Sequence, residues 1–189
     1  MQNIQTFPSW LYGKESYNNN WQSSWNTAIQ SSASGRSRSL SNQLYPNRST
    51  YIYFPHLTDI QVDTLEGFIN SCKGSSKPFW FKDYSRHEMK DQILARSSDG
   101  TYQCIMSFGG FPEPVYRVDN LYLTVNGVKT TNYTLEGGKL TIPSTNSNSI
   151  VMASYDYYFL VRVKDDGITI RRNNAPNTNN VSLNLEVVR

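Results

Sequence analysis

The tightest constraint in this chain is the order of two neighbouring segments. One good helix signal is followed directly by Lys77-Pro78-Phe79-Trp80-Phe81-Lys82-Asp83-Tyr84. Three bulky aromatics in a row, between a Gly-Ser-Ser break and a charged stretch, call for burial on both faces, as in a central strand. The helix before them starts at Thr58, an N-cap with Gln61 at capping-box spacing. Leu57 and Val62 stand where a hydrophobic staple would close, and Asp59 and Asp63 suit the positive end of the helix dipole. Val62, Leu65, Phe68, Ile69 and Cys72 recur on one helical face. Lys73 and Gly74 supply a cation and a residue able to adopt positive φ at the far end. A single helix near residues 58–73 is therefore expected to lay Leu65, Phe68 and Ile69 against a sheet.

Most of the remaining chain reads as strands and turns. Residues 1–26 interleave Trp10, Tyr12, Tyr17, Trp21 and Trp25 with Asn, Ser and Gly, as an aromatic arm with at most one strand. Residues 27–54 suggest two or three strands, with turns at Ala33-Ser34-Gly35-Arg36 and Tyr45-Pro46-Asn47. Tyr51-Ile52-Tyr53-Phe54 is expected to stop at Pro55. Residues 85–100 are polar and close on Ser97-Ser98-Asp99-Gly100. A strand over 101–108 precedes a loop, Gly109 to Pro114. Asn126-Gly127 between alternating segments is the strongest hairpin signal, because both central residues of a type I′ turn need positive φ. Glu136-Gly137-Gly138-Lys139 makes a second turn. A long strand over 149–163 precedes a turn at Asp165-Asp166-Gly167. An Asn-rich loop over 173–180 leads to Val181–Val187, which alternates as a half-buried strand. The fold class expected is mainly β with a minor helical part: an antiparallel β-sandwich or split barrel with one packed helix. The aromatic arm at 1–26 would precede a single β-rich domain at 27–189.

Composition narrows the function. The chain is 38% hydrophobic and only 17% charged, so it has the means to fold. Its 13 Tyr serve equally as strand material or as contact surface with a polar tip. A net charge of +3, with Lys and Arg spread along the chain, argues against specific nucleic-acid binding. The pairs Arg36/Arg38 and Arg171/Arg172 are read as solvated surface. The first residues have no basic head or apolar run, and no stretch approaches the roughly 20 apolar residues of a membrane helix. A protein made and folded in a cytoplasm is expected, and the glycosylation patterns at Asn47 and Asn132 are read as chance.

The chemistry-bearing residues do not gather in the sequence. Cys72 and Cys104 read as small buried hydrophobes, with a disulfide left open. His56 and His87 lack the paired spacing by which they and the cysteines would hold zinc. Asp83, Glu88 and Asp91 are acidic neighbours, but a glycosidase needs its two carboxyl groups placed across a cleft. No nucleophile elbow, phosphate loop or dinucleotide fingerprint occurs. No enzyme, metal or cofactor is expected.

Several segments, taken in order, resemble a known family. They are Ser34-Gly35-Arg36-Ser37-Arg38, the helix, Phe79-Trp80-Phe81-Lys82-Asp83-Tyr84, and Ser98-Asp99-Gly100-Thr101. The hairpin around Val125-Asn126-Gly127-Val128, the segment Tyr133 to Ile142 and Leu160-Val161-Arg162-Val163 follow. Over about residues 27–172 the chain resembles the distal tail proteins of long-tailed phages and gene-transfer-agent particles. Order and spacing carry the resemblance. Phe79-Trp80-Phe81 departs from the family's aromatic-Arg-aromatic pattern, the Ser-Gly element lacks the usual Glu-Gln-Arg continuation, and residues 173–180 look inserted.

The resemblance implies a virion protein at the tail tip, with copies forming a ring, commonly a hexamer, that leaves a channel for DNA. It marks Phe79, Phe81, Asp83, Tyr84, Asn126, Gly127 and Arg162 as motif positions. The implied partners are sister copies, the tail tube protein, the hub or baseplate protein and the tape measure protein, with no membrane. A ring needs head-to-tail contacts between identical subunits; the aromatic arm and the hairpins over 126–139 are candidates. Two other readings stay open: a carbohydrate-binding β-sandwich module of a tail tip, stacking sugars on Trp10, Trp21 and Trp25, and a small hydrolase using Asp83 or Glu88.

Overall fold

The structure is a computed structural model and describes residues 4–16, 19–143, 145–173, 175 and 178–189. The first strands are β1 (Asn20–Ser24), β2 (Thr27–Ser31), β3 (Ser37–Ser41) and β4 (Asn47–Leu57), followed by helix α1 (Asp59–Ser71) and β5 (Phe79–Phe81). Next come β6 (Glu88–Leu94), β7 (Tyr102–Gln103), β8 (Ile105–Phe108), β9 (Phe111–Pro114), β10 (Val118–Val125) and β11 (Val128–Lys129). The last are β12 (Thr134–Glu136), β13 (Lys139–Thr141), β14 (Val151–Tyr157), β15 (Phe159–Arg171) and β16 (Asn179–Val187). The chain is mainly β, with antiparallel strand pairs and one α-helix among the described residues, as the turn and helix signals imply.

Contacts gather the chain into two compact units. One holds the chain up to Tyr12 together with Trp80–Leu160; the other holds Gly13–Phe79 and Val161–Arg189. The aromatic stretch 1–26 is therefore divided between them, and its Tyr17 lies outside the described residues. Among the described residues no helix is long and apolar enough to cross a membrane.

The second unit is built on a sheet in the order β1-β4-β16-β15-β5, its last two strands running on by chain into the first unit. Alternation sets its inner face. Ile52 and Phe54 of β4, Val181, Leu183 and Leu185 of β16, and Val161 and Val163 of β15 are all buried. Helix α1 has the full capping box: Gln61 N–H donates to Thr58 Oγ1, and Thr58 N–H to Gln61 Oε1. Val62, Leu65, Ile69 and Cys72 are buried; Phe68 is half-buried and meets Phe79 edge-to-face with centroids 5.1 Å apart. Asn179 Nδ2 donates to Asp59 Oδ1 at 2.7 Å, and Arg172 pairs with Asp63 at 2.6 Å. Both bonds fix the helix start relative to the last two strands.

The first unit contains a sheet in the order β11-β10-β14-β6, a smaller one, β12-β13-β7, and the β8–β9 hairpin. Leu94, Leu123, Val151, Ala153, Tyr155 and Tyr157 are buried. The Tyr155 hydroxyl is satisfied twice, accepting from Ile105 N–H at 2.8 Å and donating to Ile105 O at 2.6 Å. Gln103 Nε2 lies within donating distance of the carbonyls of Cys104, Val115 and Gly138. Burial pushes the Cys104 thiol up to about 12, which keeps it protonated and inert.

Six expectations need correction. Phe79-Trp80-Phe81 is not a central strand: β5 ends its sheet, with Phe79 and Phe81 buried and Trp80 half-buried. Its Trp80 backbone is occupied by the chain's start, Phe7 N–H donating to Trp80 O and Trp80 N–H to Gln5 O, each at 2.8 Å. The polar stretch 85–100 contains β6, an edge strand with one buried residue, Leu94, which is why no alternation marks it. The expected loop 109–114 is a Gly109-Gly110 turn followed by β9; its two prolines fit because β8–β9 has only two strands and one side of each is free.

Pro55 does not stop β4. Leu57 pairs with Asn179 and Phe54 with Val181, so Pro55 and His56 face Asn180 alone, and the missing N–H falls in a bulge. Asp165-Asp166-Gly167 is likewise a bulge within β15, between the pairs Val163–Leu185 and Ile168–Leu183, with φ of 64° and 58° at the two Asp. Asp166 Oδ1 accepts from Ser75 N–H at 3.1 Å and from the Ser75 hydroxyl. Of the Asn-rich segment, Asn179 and Asn180 belong to β16, while Asn174, Pro176 and Asn177 lie outside the described residues.

Candidate functional site

The motif positions divide into core, turn and surface. Phe79 and Phe81 are core, the first against Phe68 and the second edge-to-face with Phe7 at 5.5 Å. Asp83 is buried and organises a turn: its Oδ1 accepts from Ser85 N–H at 2.9 Å and from Ser85 Oγ at 3.0 Å. Tyr84 is exposed and stacks on His87. Asn126 and Gly127 take φ of 51° and 80°, as a type I′ turn requires. Asn126 Oδ1 also accepts from Ile150 N–H at 2.9 Å. Arg162 is exposed and bound to Glu186, Nε to Oε1 2.5 Å.

One charge cluster forms around the Asp83 turn that no spacing in the sequence announced. Asp156 Oδ2 accepts from Lys82 Nζ and from Asn120 Nδ2, each at 2.7 Å, and Asp156 Oδ1 lies 3.8 Å from His87 Nε2. His87 Nδ1 donates towards the carbonyls of Asp83 and Tyr84, each at 2.9 Å. Burial alone would raise the Asp156 pKa. The hydrogen bonds from Lys82 and Asn120, with Lys82 and His87 as electrostatic partners, outweigh it and hold the carboxyl below its ordinary 3.8. The cluster fastens the 82–88 turn to β14. The pairings of β6 and of β10 with β14 bring these residues together.

The hydrolase and metal candidates are engaged separately. Glu88 pairs with Lys90 at 3.1 Å, and Asp91, in a bulge with φ of 48°, accepts from Ser154. Among the described residues no three His, Cys, Asp or Glu side chains gather as a metal set. Of the proposed sugar-stacking tryptophans, Trp10 and Trp21 are half-buried; only Trp25 is largely exposed.

The most unusual surface is the β2–β3 hairpin. Its register runs from Thr27–Ser41 to Ser31–Ser37 around a turn with Gly35 at φ 77°. Every residue from 27 to 41 is exposed, including Ile29 at 69% and Leu40 at 62%, and Leu44 beyond the hairpin is 83% exposed. Its base is tied by Asn26 N–H to Gln43 Oε1 at 2.8 Å. A two-stranded ribbon with no layer over either face is marginally stable in water, and both outer strand edges are open. The sequence showed the strands and the turn; the bareness of both faces was visible only as a Ser-rich composition with isolated Ile29 and Leu40.

No protein-family model and no curated protein matches the chain.

Proposed function

We propose that the chain is a structural ring protein at the distal end of a phage tail, joining the last ring of the tail tube to the hub. The β2–β3 hairpin carries this reading. A ribbon uncovered on both faces, with two open edges and exposed Ile29 and Leu40, gains stability when a neighbouring subunit covers or extends it. Identical subunits linked head to tail in this way close into a ring when the rotation permits. The mainly β fold with one capped helix and the ordered motifs over residues 27–172 support the same reading. Sister copies, tube protein, hub and tape measure are its partners, and the virion tail tip is its place after assembly in the host cytoplasm. Its work is contact rather than bond-making.

Mass photometry and negative-stain imaging of the full chain test it. The expected result is a closed ring, converted to monomers by Ile29→Asp with Leu40→Asp while the melting temperature of the monomer is kept. A wild-type chain that stays monomeric at high concentration, also with tube and hub proteins present, overturns it.

A further inference from the structure

We infer that residues 4–12 form an exchanged strand: in the ring proposed above, on which this inference rests, each copy lays this segment on β5 of the next copy. The first unit is one continuous stretch, Trp80–Leu160, completed by a separate piece of chain that ends at Tyr12. That piece is held as a bound peptide is held, by strand addition to an edge. Thr6 bridges Trp80 in parallel; Phe7 N–H donates to Trp80 O and Trp80 N–H to Gln5 O.

Two apolar anchors and one clamp complete the contact. Phe7 is 1% exposed and Leu11 0%, and Phe7 meets Phe81 edge-to-face. Arg117 Nη1 donates to Thr6 Oγ1 at 2.7 Å. The same guanidinium lies 4.5 Å from the Tyr158 ring centroid and 5.9 Å from that of Trp80. The segment also folds on itself, with Leu11 N–H bonded to Pro8 O and Tyr12 N–H to Ser9 O. It can therefore move as a body.

The receiving groups Trp80, Phe81, Arg117 and Tyr158 all lie within the 80–160 stretch. A second copy's segment makes the same contacts as the chain's own, so exchange gives up none of them. The connection favours it. Gly13, Lys14 and Glu15 alone separate Tyr12 from Ser16, whose N–H donates to Tyr53 O at 2.8 Å in the second unit. Short hinges are the ones that invite swapping. Gly13 is exposed and takes φ of 78° to keep the segment at home. A segment running extended to a neighbour needs negative φ there, and glycine adopts either without strain. Four extended residues span at most about 14 Å, which confines exchange to copies in contact. Each copy gives one segment and receives one, a head-to-tail link of the kind that closes into a ring.

The test is a double variant of the full chain, Thr6→Cys with Trp80→Cys. Partners on neighbouring strands lie roughly 5 Å apart, within disulfide range. Cys72 and Cys104 are buried and stay out of the reaction. After oxidation of the assembled protein, a denaturing gel without reductant should show a ladder of covalently joined chains extending beyond the dimer. Gly13→Ala should lower the concentration needed for association about fivefold, because the penalty of a left-handed φ on alanine falls on the unexchanged chain alone. Melting temperature reports whether Trp80→Cys is tolerated; where it is not, Gly13→Ala decides by itself. Rings whose crosslinks stay within single chains, stop at the dimer or fail to form in a folded variant overturn the exchange and leave the ring reading standing. Association unmoved or weakened by Gly13→Ala does the same. A chain that stays monomeric with tube and hub proteins present overturns both.

Discussion

Hairpin β12–β13 turns through Gly137-Gly138 and buries Leu140 completely; hairpin β2–β3 turns through Gly35 and buries nothing. Both are short antiparallel ribbons with a glycine at positive φ. The first adds β7 as a third strand and holds its turn against Val115: a Cβ on Gly138 would stand 1.9 Å from the Val115 carbonyl oxygen. Around Gly35 nothing lies within 4 Å. Turn chemistry can therefore shape a ribbon without giving it anywhere to bury apolar area. The packed hairpin is part of the core, and the bare one buries none of its residues in the chain's own fold.

The sharpest break of this contrast is at the two glycines. Gly138→Ala should cost on the order of 5 kcal/mol or prevent folding, since the blocking atom is backbone. Gly35→Ala should cost only about 1 kcal/mol, for the left-handed φ alone. Thermal melts of both variants check the difference, and similar losses would erase the contrast.

Next in size are the two leucines. Leu140→Ala should destabilise by about 2–5 kcal/mol through lost burial and a cavity. Leu40→Ala should change monomer stability by less than about 0.5 kcal/mol while weakening self-association. Urea unfolding beside sedimentation separates the two effects.

A smaller effect is expected at the Asp83 turn. The Asp156 carboxyl is held below 3.8 in the folded state, so its stabilisation is present above that value and disappears as pH falls through the folded pKa. Asp156→Asn should cost about 1–2 kcal/mol at neutral pH, from one lost ion pair and its hydrogen bonds, and flatten the acid limb between pH 4 and more acid values. Chemical unfolding repeated down the pH scale reads this directly.

The smallest effect sharpens the packed side. Tyr102 is fully buried opposite Leu140, and its hydroxyl has no hydrogen-bond partner among the described residues. Tyr102→Phe should leave stability unchanged or raise it by up to about 1 kcal/mol. A clear loss would mean that the hydroxyl is satisfied in solution.

Much of the fold was legible because its signals are local. The Thr58–Gln61 capping box, the Asn126-Gly127 turn, the Gly137-Gly138 turn and the alternation of Val181–Val187 all appear where the sequence placed them. Strand β6 carries no sequence signal, because an edge strand with six of seven residues solvent-facing or half-covered has no hydrophobic period. Strand β9 was hidden by Pro112 and Pro114, which count against a central strand and not against a two-stranded ribbon. Of the motif residues, Phe79 and Phe81 were readable as core, whereas the linkage of Asp156 to Lys82, Asn120 and His87 joins residues up to 74 positions apart.

Sequence alone determined the caps, the turns and the strand alternation, because φ preference and side-chain period depend on adjacent residues. Tertiary structure decided that Phe79-Trp80-Phe81 ends a sheet with its Trp80 backbone held by residues 5–7. It also decided that Ile29 and Leu40 remain bare and that the outward rows around Tyr51 line up across β1, β4, β16 and β15. Burial and register depend on which distant strand arrives alongside, and no local pattern encodes the arrival of a neighbour.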